Sequence, residues 1–380
     1  MRTLLLFTSI LFFTYSGFGQ SAIKHSKQQT CFFYTQLNLH AGHVNEGKKG
    51  RFDLTNQAPD NQVVFQLFCK NQSLMQKGYI KTFNLVSYNI RLSVPYHKSI
   101  DNLGYNQANV QLKLLDTWMK FNTKWDRTHF WIGYRSIPYG HNPKLDPASS
   151  FMTNITKMDI GFAQDLGLFI KTPLANYLDV ELSVTSGGFL NKPIAIYDQL
   201  INDNPLLDQQ PRFSFSDYNY ENTWLLTSRI GTPTFKRHEF GLILSTGNVK
   251  NIENRTEMAR INRIGGDWIY KHYEKLKWSN QVVVGDNRID GTAYTKSIHI
   301  QTALDYYLLD NFILSTSFAY TRFMNRDMNH NNKIRTSSLT YVFSPHTRLR
   351  LNQFMSHKAS NDRKKWGVML QFITGFGKRP

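Results

Sequence analysis

The sequence contains no membrane-length hydrophobic run outside its first residues. Nothing beyond residue 19 approaches the roughly 18–20 consecutive apolar residues that a transmembrane helix requires. A helical span is therefore not expected. Cysteine is almost missing, with Cys31 and Cys69 the only two. Neither ends the N-terminal apolar run, so a lipoprotein anchor is not expected. Acidic residues are few: 27 Asp and Glu face 45 Lys and Arg, a formal net charge of +18. The catalytic signatures G-x-S-x-G and H-E-x-x-H, a phosphate-binding glycine loop and Cys/His metal spacing are also absent. The expectation is a protein that is not an enzyme and uses no metal or cofactor.

What is present begins with an export signal. Met1 and Arg2 precede the apolar run Leu4–Tyr15, which closes in Gly17-Phe18-Gly19-Gln20. That is the layout of a secretory signal peptide cleaved after Gly19, so residues 1–19 are set aside from the fold. Export argues against a nucleic-acid partner despite the charge, and no Lys/Arg block points to one. The basic excess then reads either as solvated loops and contacts to anionic lipid, or as a lumen that favours anions.

Alternation of polar and apolar residues supplies the fold. Phe33, Leu37, Leu39 and Ala41 share one parity, while Gln36, Asn38 and His40 share the other. Period two is the mark of a strand, and the same split recurs along the chain. The pattern predicts strands at Phe32–Ala41, Gln62–Lys70, Phe83–Val94, Val110–Phe121, His129–Ile137, Ile160–Lys171, Tyr177–Ser186 and Thr223–Gly231. Eight more follow at His238–Gly247, Arg260–Lys271, Leu276–Gly285, Ser297–Leu308, Phe312–Phe323, Arg335–Ser344, Thr347–Ser356 and Lys365–Thr374. Pro95 is expected to end the third strand, a parity switch near Leu114 predicts a β-bulge, and Thr172–Asn176 reads as a tight turn. Connections after odd strands are long and those after even strands are short. A β-sandwich has no reason to sort its loops in this way, whereas an outer-membrane barrel does. The fold class expected is all-β, a transmembrane antiparallel up-and-down β-barrel of about 16 strands over residues 20–380, with a short lead at 20–31.

Inward parity selects the lumen candidates. These are Arg91, Lys113, Lys120, Arg135, Lys171, Arg229, Arg263, Lys271, Lys277, Arg348 and Arg350, against a smaller set of acids that includes Asp116, Asp165, Asp179, Glu181, Glu239, Asp267 and Asp305. A lysine or arginine facing lipid at mid-depth would cost roughly 2–4 kcal/mol, so this sorting implies a wet interior. Each residue is equally open to a bracing role in an ion pair. Cys31 and Cys69 fall on the same rim and parity, which allows either a disulfide or two free thiols. The connection 138–159 carries Phe151, Met152 and Ile155, which need somewhere to pack; the barrel mouth and neighbouring external loops are the two options.

A series of short landmarks resembles one family. Asp116-Thr117-Trp118, Trp131-Ile132-Gly133-Tyr134-Arg135, Pro138-Tyr139-Gly140, Ser149-Ser150, Asp159-Ile160-Gly161 and Ser183-Val184-Thr185-Ser186-Gly187 follow one another as in the phosphate- and polyphosphate-selective porins of Gram-negative outer membranes. The resemblance is concentrated in residues 108–187, and the composition of the chain after Gly19 is Bacteroidetes-like. It implies a homotrimeric barrel whose third loop folds inward, passive diffusion of small solutes, and Arg135 with Lys144 near the constriction. With a modest basic excess, the expected preference is weakly for anions. Expected partners are outer-membrane lipid, lipopolysaccharide and small anionic solutes. The alternative is a non-conducting barrel that anchors or joins an outer-membrane assembly through the Gly187–Asn222 loop.

Overall fold

The computed structural model describes residues 26–46, 49–53, 61–75, 81–100, 106–110, 113–122, 128–140, 159–160, 162–188, 223–233, 237–250, 258–273, 275–289, 295–324, 329–358 and 363–377. The signal peptide expected over 1–19, Lys144 and most of the 187–222 connection lie outside these residues. Eighteen strands run in chain order: β1 (Ser26–Glu46), β2 (Lys49–Asp53), β3 (Asn61–Met75), β4 (Lys81–Ile100), β5 (Asn106–Val110), β6 (Lys113–Asn122), β7 (His129–Ser136), β8 (Gln164–Ala175) and β9 (Leu178–Thr185). They continue as β10 (Trp224–Gly231), β11 (His238–Lys250), β12 (Met258–His272), β13 (Leu276–Ile289), β14 (Thr295–Leu309), β15 (Phe312–Met324), β16 (Asn329–Ser344), β17 (Thr347–Lys358) and β18 (Arg363–Gly377).

Every ladder is antiparallel, and β18 returns to pair with β1 from Tyr34 opposite Gly377 to Glu46 opposite Lys365, which closes the sheet. Two strands are fragments. β2 covers residues 42–46 of β1 and β3 covers 26–38, so the two form one interrupted wall element. β5 and β6 divide β4 in the same way, at 96–100 and 86–93. The closed antiparallel barrel therefore has 16 staves.

Pro95 does not end its strand; β4 runs on to Ile100. The reason lies on the neighbouring side. Pro95 pairs with Gln62 of β3, and it falls between the segments of β4 covered by β6 and by β5. A residue with no N–H is tolerated where the adjacent ladder is already broken. The predicted bulge appears at Leu114: Leu92 pairs with Leu114 and Arg91 with Asp116, which leaves Leu115 as the extra residue. The turn expected at Thr172–Asn176 is shorter, because β8 continues to Ala175 and pairs with Leu178.

The two faces of the wall differ as the parity requires. Leu242, Leu244, Ile264, Val282, Val284, Leu339, Leu351 and Leu370 are exposed on the outside, and Ser245, Arg263, Asp267, Gln281, Thr340, Asn352 and Gln371 are buried on the inside. An apolar belt around a closed sheet matches hydrocarbon without leaving a backbone group unpaired. Near the short-turn end the belt becomes aromatic, where Phe240, Trp268, Tyr270 and Trp278 stack against one another and against His238. Cys31 and Cys69 are directly opposed between β1 and β3, their Cα atoms 4.1 Å apart, and are joined as a disulfide.

Candidate functional site in the barrel lumen

The interior is organised by the β7–β8 connection. It leaves β7 through Ile137 and Tyr139 and re-enters β8 through Asp159, Ile160 and Phe162, all of them buried. Ile137, Tyr139, Ile160 and Phe162 share one apolar cluster with Leu225, Ile243, Val249, Ile261, Val283 and Phe323, which project inward from β10–β13 and β15. The described ends of the third loop thus lie inside the barrel, against the far wall.

A polar latch fixes them there. Asp159 accepts a hydrogen bond from Tyr139 Oη and another from Arg263 Nε at 2.7 Å. His299 Nε2 also lies 2.7 Å from Asp159 Oδ1. Arg263 spends its remaining donors on Asn287 Oδ1 and on the Asp286 carbonyl, both at 2.7 Å, and on the Asn262 carbonyl at 3.0 Å. Gln281 Nε2 donates to the Tyr139 carbonyl at 3.3 Å. Gly140 has φ +67°, and a Cβ there would stand 2.5 Å from Gln281 Nε2 and 2.6 Å from Ile243 Cδ1. A side chain at this position would be strained by the positive φ and would make the ends of Gln281 and Ile243 shift.

Asp159, His299 and Thr321 are spaced like a catalytic triad, with His299 Nδ1 3.2 Å from Thr321 Oγ1. The carboxylate and imidazole are fully buried, and the carboxylate is paired with Arg263. The arrangement is that of a buried charge held by a counter-charge and by hydrogen bonds from Tyr139 and Arg263.

The lumen cations of the sequence reading fall into three groups. Arg263, Arg229, Lys171 and Lys271 face inward in ion pairs. Arg229 meets Asp267 through two bonds, Nε at 2.8 Å and Nη2 at 2.7 Å. This clasp between β10 and β12 passes over Gly241 of β11, where a Cβ would lie 2.5 Å from Asp267 and 2.6 Å from Arg229. Lys271 pairs with Glu239, and Lys171 with Glu181 and, at 3.8 Å, Asp179. Arg350 is a hydrogen-bonder, giving Nε to Thr340 at 2.9 Å and Nη1 to Gln371 at 3.3 Å, while Arg348 beside it is half-buried.

Arg135 behaves differently. Its guanidinium lies 4.2 Å from the Trp131 ring centroid and 5.2 Å from that of Phe169, and Lys120 Nζ lies 5.3 Å from the same Trp131. Neither cation has an ion pair among the described residues; Lys70 and Lys171 add positive potential at Lys120, while Asp116 and Glu181 oppose it at Arg135. Indole faces hold these charges through their quadrupole without neutralising them. The side chains of Arg91 and Lys113, like all of Lys144, lie outside the described residues.

No family model matches this sequence, and no curated protein matches it. Solved structures do match, at the level of fold. An anion-selective porin from Comamonas acidovorans superposes with a TM-score of 0.61 at 9% identity, covering 92% of this chain and 100% of that one. OmpT of Vibrio cholerae, an outer membrane protein in its trimer form, gives 0.59 at 9% identity over 91% and 99%. The outer membrane channel DcaP of Acinetobacter baumannii gives 0.54 at 11% identity over 95% and 99%. The chain has the porin fold, and its closed sheet and apolar belt are those of a Gram-negative outer-membrane protein.

Asp159, Tyr139 and His299 meet in the interior latch; strand parity puts His299 inside, but periodicity cannot single out Asp159 and Tyr139, which lie off the strands. A signal for it was in the sequence. Leu242-Ile243-Leu244 and Val282-Val283-Val284 are apolar on both parities, and a barrel wall that is greasy inside as well as outside needs something apolar in the lumen to cover it.

Proposed function

We propose that this chain is an outer-membrane porin for passive diffusion of small solutes, weakly selective for anions, with the third loop as its constriction. The observation that supports the reading is the latched end of the loop: Asp159 lies against Arg263 and His299 inside the barrel. Anion preference rests on Lys120 and Arg135 over Trp131, which face the lumen without a salt bridge among the described residues. Lys144, which the resemblance puts near the constriction, is to be tested alongside them, and phosphate is the anion to test first in competition. A homotrimer embedded in phospholipid and lipopolysaccharide is the assembly proposed.

The test is single-channel recording of the refolded chain in a planar bilayer across a KCl gradient. Conductance steps with a reversal potential favouring chloride are expected. Replacing Lys120 and Arg135 together by Glu should move that potential toward potassium, and an unchanged potential would remove both residues from the ion path.

One observation favours a second reading. Gln36, Asn38, Gln371 and His299 are fully buried although they face the interior. A filled, non-conducting barrel that anchors an outer-membrane assembly would account for this burial. Well-folded protein without conductance steps would select it.

A further inference from the structure

We propose that the outer surface of β11–β13, at the short-turn edge, is a binding site for a phospholipid of the periplasmic leaflet. Its phosphate would rest on Arg237, with an acyl chain lying in a furrow floored by Gly266.

The residues grade along the wall as a lipid does. At mid-depth, Gly266 lies opposite Leu242 of β11 and Val282 of β13. A Cβ on it would meet only the Gly241 carbonyl at 3.5 Å, so the space above it is open. Leu242, Ile264 and Val282 are exposed around this gap and line it as a shallow apolar furrow. Toward the edge the furrow meets Phe240, Trp268 and Trp278, and then Tyr270 and His238, whose rings lie 4.9 Å apart.

At the edge stands Arg237, exposed on the short connection before β11. Its Nη2 donates to Tyr270 Oη at 2.9 Å and lies 3.1 Å from His272 Nδ1. Its guanidinium carbon is 5.4 Å from the Tyr270 ring centroid and 5.5 Å from that of Tyr273. The cation is therefore held in place at the end of the aromatic girdle rather than left to sweep through water. Tyr273 adds a second, independent observation: at φ 39° it is the one non-glycine residue with positive φ among those described. A strained backbone there presents a large ring that is 75% exposed, where a glycine would turn the chain at less cost. An exposed tyrosine beside a held guanidinium suits the headgroup level of a bilayer.

The dimensions agree. From Gly266 to His272 is six residues, about 20 Å along a strand. Tilted by about 40°, this covers about 15 Å of depth, half of a hydrocarbon core of about 30 Å. A chain seated over Gly266 would bring its phosphodiester to the level of Arg237.

The probe is phosphatidylglycerol, titrated onto the refolded full-length barrel in detergent and followed by native mass spectrometry. One saturable site is expected, weakened about tenfold by Arg237→Ala, the scale of a charge-assisted hydrogen bond lost. Gly266→Leu, which fills the furrow, should weaken it to a similar extent, and Lys364→Ala, at the opposite rim, should leave it unchanged. Inorganic phosphate should not displace the lipid. Equal lipid retention in all variants would overturn the site in favour of ordinary annular lipid. Phosphate competition together with indifference to Gly266→Leu would reduce it to a free-anion contact and overturn the furrow. If Gly266→Leu does not refold, phosphatidylglycerol with brominated chains gives the same reading on the unchanged furrow. Its quenching of Trp268 and Trp278 should fall in Arg237→Ala, and equal quenching in both proteins would overturn the proposal.

Discussion

Two stretches of the same wall show how differently a barrel interior can be built behind one uniform belt. Along β10–β13, the inner face presents Leu225, Ile243, Val249, Ile261 and Val283, and the third loop covers them. Along β16–β18 and β1, the inner face is mostly polar, with Ser338, Thr340, Arg350, Asn352, Gln371, Gln36 and Asn38 set among a few buried apolar residues such as Tyr34, Met369 and Ile373. There the contacts are hydrogen bonds between neighbouring strands, such as Gln371 Nε2 to Asn38 Oδ1 at 3.0 Å. The outer faces of both stretches are apolar, with Leu242, Leu244, Ile264, Val282 and Val284 in the first and Leu339, Leu351, Val368, Leu370 and Phe372 in the second. Lipid dictates the outside of every strand, whereas the inside answers to what fills the lumen locally, a docked loop in one place and polar side chains in the other.

The largest test of that contrast is Arg263→Met. It leaves the Asp159 carboxylate buried beside Tyr139 with its main counter-charge gone, a loss of about 3–5 kcal/mol for a broken buried pair. Denaturant midpoints of the refolded barrel should fall accordingly, and limited proteolysis should cut within residues 141–158. The parallel change on the polar wall, Arg350→Met, removes bonds to a neutral hydroxyl and amide and should cost only about 1–3 kcal/mol. Equal losses would erase the distinction between latch and lining.

Ile243→Ala comes next. It trims the floor on which Gly140 and Tyr139 rest, at about 2–4 kcal/mol for a buried isoleucine. The same truncation of Leu244, one residue away on the lipid face, should cost less, because lipid chains refill the space. Smallest is Gln371→Ala, which removes one cross-seam bond at about 1 kcal/mol and should leave proteolysis of the third loop untouched. A change in loop cleavage would mean that the two stretches are coupled.

The fold was legible in the sequence because lipid imposes period two on every strand, and the sorting of loop lengths announced the up-and-down threading. The bulge at Leu114 was equally visible, since a parity switch has no other cheap explanation. Pro95 misled because its tolerance depends on a break in the neighbouring strand, which no local pattern records. The lumen was read only in part. Parity placed Arg229 and Arg263 inside but could not separate a guanidinium clasped by a carboxylate from one lying on an indole. That distinction depends on partners far away in the chain: Arg263 and Asp159 are 104 residues apart, and Arg229 and Asp267 are 38 apart.

The bond between Gln371 and Asn38 joins residues 333 positions apart. Since β1 can be hydrogen-bonded on both edges only when β18 arrives, its second edge waits for nearly the entire polypeptide. Contacts of such span form slowly, and an unpaired strand edge is a template for pairing with other chains. The short Cys31–Cys69 link, by contrast, closes within the first hairpin and needs nothing downstream. Synthesis order and closure order therefore run apart: the first hairpin can be stapled early, while its outer edge needs shielding until the end of the chain reaches it.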